Sequence, residues 1–171
     1  YTIHSAVHAA RPDDLHCVLH THSDNAVALS CLDCEFMPIT QTGCAFDGRV
    51  GYHEFEGIAL DLQERARLVS DLGDTNHTLV LRNHGVLTAG ESAAITFHRL
   101  YSFEQAAGIQ LRVMAASGAS GVPIRKPAPQ VVSHTRQQFE GGAAQAGAID
   151  AVPSWPGYLR LLDSLDANWR Q

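Results

Sequence analysis

Two short apolar runs, each closing on histidine, constrain this chain more than anything else in it. Cys17-Val18-Leu19 runs into His20-Thr21-His22, and Thr78-Leu79-Val80-Leu81 runs into Arg82-Asn83-His84-Gly85. Side chains alternate along an extended strand, so residues two apart point the same way. If Cys17 to His22 is a strand, His20 and His22 share one face and can grip one ion. Thr78 to Leu81 reads as a buried strand ending in a turn, and two neighbouring strands would bring His84 to the first pair. Three neutral imidazoles with an open fourth position commonly hold a catalytic zinc or similar divalent ion. Spacing alone leaves a second reading open: among ten histidines an HxH pair arises readily, as satisfied core or surface side chains.

A chain of 171 residues suits one domain, 1–171, with a real core. Its net charge of −6 and lack of any Lys/Arg cluster argue against nucleic acid. No apolar stretch approaches the length of a membrane span and no signal-peptide pattern stands at the start, so the expected location is cytoplasmic. Cys31-Leu32-Asp33-Cys34 has CxxC spacing, which invites a zinc or redox reading. Only Cys44 offers a further nearby soft ligand, and the pair falls where a helix out of Ser23 should end. Reduced, structural cysteines are the expectation.

Apolar residues at Ile3, Ala6, Val7 and Ala10 have helical spacing, and Pro12 closes that segment. Ser23 or Asp24 reads as the N-cap of a helix over Asn25 to Leu32. Arg49 to Phe55 contains a strand, followed by a loop at Glu54-Phe55-Glu56-Gly57. Asp61 to Val69 is amphipathic, with Leu62, Ala66 and Val69 expected inward and Gly73 as the stop. Val86 to Ala89 reads as a strand. A long helix runs from about Ser92 to Ala116, burying Ile95, His98, Leu100, Phe103, Ala107, Leu111 and Met114. Residues 118–171 form a helical tail, with helices at Gln130 to Phe139 and Tyr158 to Leu165 and a flexible Gly141 to Gly147 between them. Strands alternating with helices argue an α/β layered domain, without deciding whether the sheet is parallel.

Arg11-Pro12-Asp13, His20-Thr21-His22, Leu81-Arg82-Asn83-His84-Gly85 and Thr88-Ala89-Gly90 together resemble the class II aldolase/adducin family, in its order and near its spacing, as far as about residue 115. The resemblance implies a three-layer α/β/α fold with a largely antiparallel central sheet, assembled as a homotetramer. It also implies a divalent metal, Zn2+ first, with Mn2+, Fe2+ or Co2+ as alternatives, held by His20, His22 and His84. Such an ion chelates the oxygens of a small keto substrate and, as a Lewis acid, stabilises the enediolate formed when a carbon–carbon bond breaks or forms.

The chain departs from the sugar-phosphate aldolases in one respect. Counted back from Arg11, their catalytic glutamate lands on or immediately before Tyr1, and their upstream phosphate loop has no counterpart here. An N-terminal part of the family domain preceding this chain is one expectation; the adducin-like and uncharacterised bacterial branch, where the glutamate is commonly absent, is the other. The candidates for proton transfer are His4, about one helical turn from that position, and Tyr158, which in the tail can reach a neighbouring subunit. Their alternatives are a surface histidine and a packing aromatic. Tyr52, His53, Glu54 and Glu56 form a polar cluster in a loop, Asp24 can cap a helix or support His22, and Arg82 can meet an anionic substrate. Two functions follow. One is a metal-dependent carbon–carbon lyase, aldolase-like or decarboxylating, on a small oxygenated carbonyl compound. The other is a non-catalytic adducin-like domain for self-association or for binding an actin-type protein.

Overall fold

The computed structural model describes residues 2–57, 63–150, 152–166 and 168–169. Apolar alternation builds a four-stranded sheet from β1 (Cys17–Thr21), β2 (Val50–His53), β3 (Thr78–Leu81) and β4 (Gly85–Gly90), in the order β1-β4-β3-β2. β4 pairs antiparallel with both β1 and β3, whereas β2 lies parallel to β3. The sheet is thus mixed, with two of its three pairings antiparallel. Every residue of β3 and β4 is buried, as expected of central strands covered on both faces.

Period-two alternation sends β3 residues to opposite layers. Leu79 and Leu81 join Val18, Leu87 and Ala89 against Ile3 and Val7 of α1 (Thr2–Ala10) and Leu68 and Leu72 of α3 (Glu64–Leu72). Val80 and Val86 face the other way, onto Ala26 and Leu29 of α2 (Asp24–Ser30) and Phe103, Ala106 and Ala107 of α4 (Ala93–Ser120). Phe36, Phe46 and Phe103 stack between them, with ring centroids 5.1–5.7 Å apart. The three-layer α/β/α architecture is therefore present. Among the described residues no helix is long and apolar enough to cross a membrane.

Several local expectations change. The buried stripe of α3 is Glu64, Leu68 and Leu72, at i, i+4 and i+8; Ala66 is exposed and Val69 half-buried, while Asp61 and Leu62 lie outside the described residues. On α4, Phe103 and Ala107 are buried as expected, but the stripe otherwise runs through Ala94, Thr96, Ser102, Ala106, Gly108 and Gln110, and His98 is exposed. Small and polar residues line it because loops pack there and hydrogen-bond to it. The tail holds α5 (Pro129–Asp150) and α6 (Trp155–Leu165). The backbone at 141–147 continues α5 as helix where a flexible link was expected. All four cysteines are free thiols, and Cys31 and Cys34 fall in the turn that ends α2, as the reading of the CxxC pair required.

Candidate metal centre

At one end of the sheet β1 finishes, β3 finishes and β4 begins, and there the three imidazoles converge. One ring nitrogen from each of His20, His22 and His84 lies within 4.8 Å of the others. The ring centroids are 4.6–4.8 Å apart and the rings stand edge to face. His20 is on β1 and His22 is one residue past its end, so alternation still carries both to the same side. His84 arrives through the β3–β4 turn. Asn83 holds φ +55 there, a left-handed conformation that asparagine tolerates better than most residues. Its N–H donates to Ser30 O at 3.2 Å, and that of His84 to Leu81 O at 3.1 Å. Gly85 completes the approach: a Cβ there would collide with the carbonyl oxygen of Thr21 and stand 3.2 Å from Cδ2 of His22.

The donor set suits a cation. Nδ1 of His20 lies 3.1 Å from Val86 O; a carbonyl only accepts, so Nδ1 carries the proton and Nε2 presents a lone pair. That lone pair faces Nε2 of His22 at 3.0 Å. Two nitrogens so placed approach the ~3.3 Å edge of a tetrahedron with zinc–nitrogen bonds of about 2.0–2.1 Å. Burial pushes His20 down to about 4, partly opposed by the hydrogen bond it donates to Val86 O. Burial also lowers His84, with His22 adding to the shift. Both rings are therefore neutral near pH 7, the form a metal needs. Tethering the distal ring nitrogen to a carbonyl is the usual way to fix a ligating histidine.

The first turns of α1 and α3 flank this end. His4 of α1 is partly buried and close enough that its charge would further depress His20. Burial lowers His4 itself, with His8 adding to the shift. Glu64, the first residue of α3, is 6% exposed and raises the affinity of His84 for a proton. Its Oε1 is 3.4 Å from Nε2 of His53, whose Nδ1 is 2.7 Å from Asp71. Sequence reading missed Glu64 as a buried group. The signal was available in the four-residue spacing of Glu64, Leu68 and Leu72, which puts a carboxylate on an apolar stripe.

Other candidates are occupied in supporting the frame. The Tyr52 hydroxyl accepts from Phe36 N at 2.7 Å, and Glu56 pairs with Arg67. Arg82 is tied to the frame: Nη1 donates to Leu32 O at 2.9 Å and Cys34 O at 3.0 Å, and its guanidinium lies 4.6 Å from the centroid of the Tyr52 ring. Ser23 is the N-cap residue of α2 but makes no side-chain cap bond, and Asp24 is inside the helix. The cap is Glu104 of α4, whose carboxylate accepts from Asn25 N and Ala26 N at 3.0 Å and from the Ser23 hydroxyl at 2.8 Å. It fixes the segment just beyond His22. Tyr158 packs on α4, with ring centroids 5.2 Å from Phe97 and 6.0 Å from Tyr101, in the tail and not at its own protomer's triad.

A layered α/β/α domain with a three-histidine cradle at the strand ends defines a class, and the comparisons name it. The model of the class II aldolase and adducin N-terminal domain matches residues 1–111. This chain belongs to the class II aldolase/adducin family. A candidate class 2 aldolase of Pseudomonas aeruginosa is 39% identical over 171 residues, covering 100% of this chain and 64% of that protein. An adducin-related protein of Schizosaccharomyces pombe is 34% identical, over 99% of this chain and 51% of its own length. Among solved structures, L-fuculose 1-phosphate aldolase from Glaciozyma antarctica superposes with a TM-score of 0.74 at 26% identity, over 95% of this chain and 57% of that one. The chain thus spans between half and two thirds of the length of these relatives.

Proposed function

We propose that this chain is the metal-binding domain of a divalent-metal-dependent carbon–carbon lyase, aldolase-like or decarboxylating, acting on a small oxygenated carbonyl compound. The observation that carries the reading is the convergence of His20, His22 and His84 within 4.8 Å, with the distal nitrogen of His20 already engaged by Val86. A scaffold needs no such cradle, and an adjacent open position is what a catalytic site requires. Zn2+ is the first choice of ion for an all-imidazole set, with Mn2+, Fe2+ and Co2+ as alternatives. When bound, the ion supplies Lewis-acid polarisation of a carbonyl oxygen.

The chain's own residues do the rest. The backbone tether at His20 and the turn at Asn83 hold the rings neutral and aimed. The N-terminus of α3, which begins at Glu64 near His84, puts positive partial charge near the triad, which favours anionic substrate groups. His4, depressed below the ordinary imidazole range by burial, is the neutral base proposed to take the proton. Tyr158 has no part in its own protomer's site in this reading; it would serve only a neighbouring triad, in the homotetramer that belongs to the same proposal, as does a cytoplasmic location. The adducin-related relative at 34% identity supports the second reading, a domain that keeps the metal site for self-association or for an actin-type partner.

Elemental analysis of the purified protein, alongside His84→Ala, tests the cradle: near-stoichiometric metal in the first and none in the second is expected. A panel of hydroxy-ketones and keto-acids, assayed on the full-length native protein, then separates the readings. Turnover that tracks metal occupancy supports the lyase. A metal-loaded protein with no turnover that co-sediments with actin filaments supports the alternative.

A further inference from the structure

The other end of the sheet carries a feature that the triad does not use. A cavity of about 400 Å3 lies between α4 and the α5–α6 tail. Phe46, Ile95, Tyr101, Phe139 and Tyr158 give it apolar and aromatic walls. That volume is in the range of small-molecule sites. Arg99 and Ile95 of the cavity wall press on Gly90, at the opposite end of β4 from Gly85, the residue after His84.

Beside the neutral polar groups of Thr42, Tyr101, Ser102, Gln105 and Tyr158, four side chains that can carry charge near pH 7 decide the chemistry of this cavity: Glu140, His77, His98 and Arg99. Glu140 is already neutralised, accepting from Arg49 at 2.8 Å and Arg136 at 2.9 Å. Burial lowers His77 well below the ordinary imidazole value and partial desolvation lowers the more exposed His98, with neighbouring guanidiniums adding to both shifts; both are neutral near pH 7. Arg99 is left as the cation. Its Nη1 donates to Ala89 O at 2.5 Å, and no carboxylate among the described residues forms an ion pair with it. A guanidinium carries five N–H donors. The sealed, unpartnered polar atoms among the described residues are on His53 and Arg136, so the remaining donors of Arg99 stay open to an incoming acceptor. A half-buried, weakly hydrated, planar cation at the wall of a largely apolar cavity is suited to a carboxylate fork.

We propose that this cavity is a second binding site, for a small aromatic carboxylate whose carboxylate meets Arg99 and whose ring packs among Phe46, Tyr101 and Tyr158. The apolar and aromatic walls of Phe46, Ile95, Phe139 and Val152 favour one carboxylate on a ring over a bare phosphate. Glu91 and Asp14, which border a smaller cavity with Arg99, stabilise the cation through space, and among the described residues neither forms an ion pair with it. The α6 helix buries none of its described residues, so a ligand that packs on Tyr158 also anchors the tail.

Calorimetric titration with benzoate, its neutral analogue benzamide and inorganic phosphate tests the assignment. Saturable benzoate binding is expected, with benzamide and phosphate each at least roughly tenfold weaker. Arg99→Gln should weaken benzoate roughly tenfold and leave benzamide unchanged, Arg99→Lys should fall between, and Ala45→Leu, which fills the cavity, should abolish both organic ligands. His84→Ala should bind benzoate like the wild type, so failure of the triad reading would not touch this one. No benzoate binding by the wild type, equal binding of benzamide, or an unchanged affinity in a folded Arg99→Gln would overturn the proposal.

Discussion

Both ends of β4 are glycines, and the reasons differ. At Gly85 the obstacle to a side chain is a backbone carbonyl, that of Thr21 in the neighbouring strand, with His22 close behind. At Gly90 it is the end of a flexible side chain, Nη1 of Arg99 at 2.8 Å, with Ile95 Cγ2 at 3.0 Å and Thr96 Oγ1 at 3.1 Å. The first end is fixed by ladder hydrogen bonds, and its chemistry is set by main-chain geometry. The second is walled by side chains and a tail helix, and can adjust. Preorganisation of the kind a metal site needs belongs to the first end; adaptable binding of an organic ligand suits the second.

The largest expected effect is loss of the ion. His84→Ala removes one of three imidazoles, and its affinity for Zn2+ should fall by more than the roughly hundredfold seen for second-layer changes. Because an ion that binds only the folded state stabilises it by mass action, chelation should lower the melting temperature of the wild type and leave that of His84→Ala unmoved. Next comes Gly85→Ala. A Cβ against a paired strand cannot be relieved by a rotamer change, so a cost of about 3 kcal/mol is expected, with metal content falling in step. Urea midpoints and metal stoichiometry measured together check it; a stable variant with full metal would show that this end is as adjustable as the other.

Glu104→Ala should come third, at about 2 kcal/mol, since it strips a carboxylate from two backbone N–H groups and the Ser23 hydroxyl. Glu104→Gln, which keeps one acceptor, should lose about half as much. This residue also marks where sequence reading stopped. The triad was legible because strand alternation and a turn are local patterns, and the family motifs carried the same three histidines. Glu104 caps a helix 79 residues away in sequence, and Gln110 holds the loop at Met37 N, 2.7 Å from its Oε1. No local period announces such bonds. Apolar periodicity also misplaced the inner face of α3, where Ala66 yields to Glu64 because a buried carboxylate faces His53. The two glycines of β4 read alike in sequence; only the neighbour that presses on each one tells them apart.

Acid should separate the two ends with a smaller effect. The folded-state pKa of His20 is about 4 against an ordinary 6.5, so the unfolded chain takes up a proton that the fold refuses. The contribution of His20 is therefore fully present above about 6.5 and is lost as pH falls towards 4. Partial exposure of the ring screens the effect. His77 shifts in the same direction at the far end. Urea midpoints of the metal-free protein should drop over this window, and His20→Asn and His77→Asn should each flatten part of the slope. Zn2+ should steepen the fall at the triad's end alone, because the metal-bound fold keeps its imidazoles unprotonated while the unfolded chain takes up protons.

Gly90→Ala should have the smallest effect. The new methyl group meets the tip of Arg99, which can swing away, and two contacts at 3.0–3.1 Å that need give only slightly, so about 1 kcal/mol is expected. The movement would break the bond from Nη1 to Ala89 O and re-aim the guanidinium in the cavity. Metal content should be unchanged, since the change falls at the opposite end of β4 from His84 and the turn that aims it, while benzoate affinity should shift. A Gly90→Ala protein that loses its metal would mean that the ends are coupled through the strand, and that rigidity at one end depends on packing at the other.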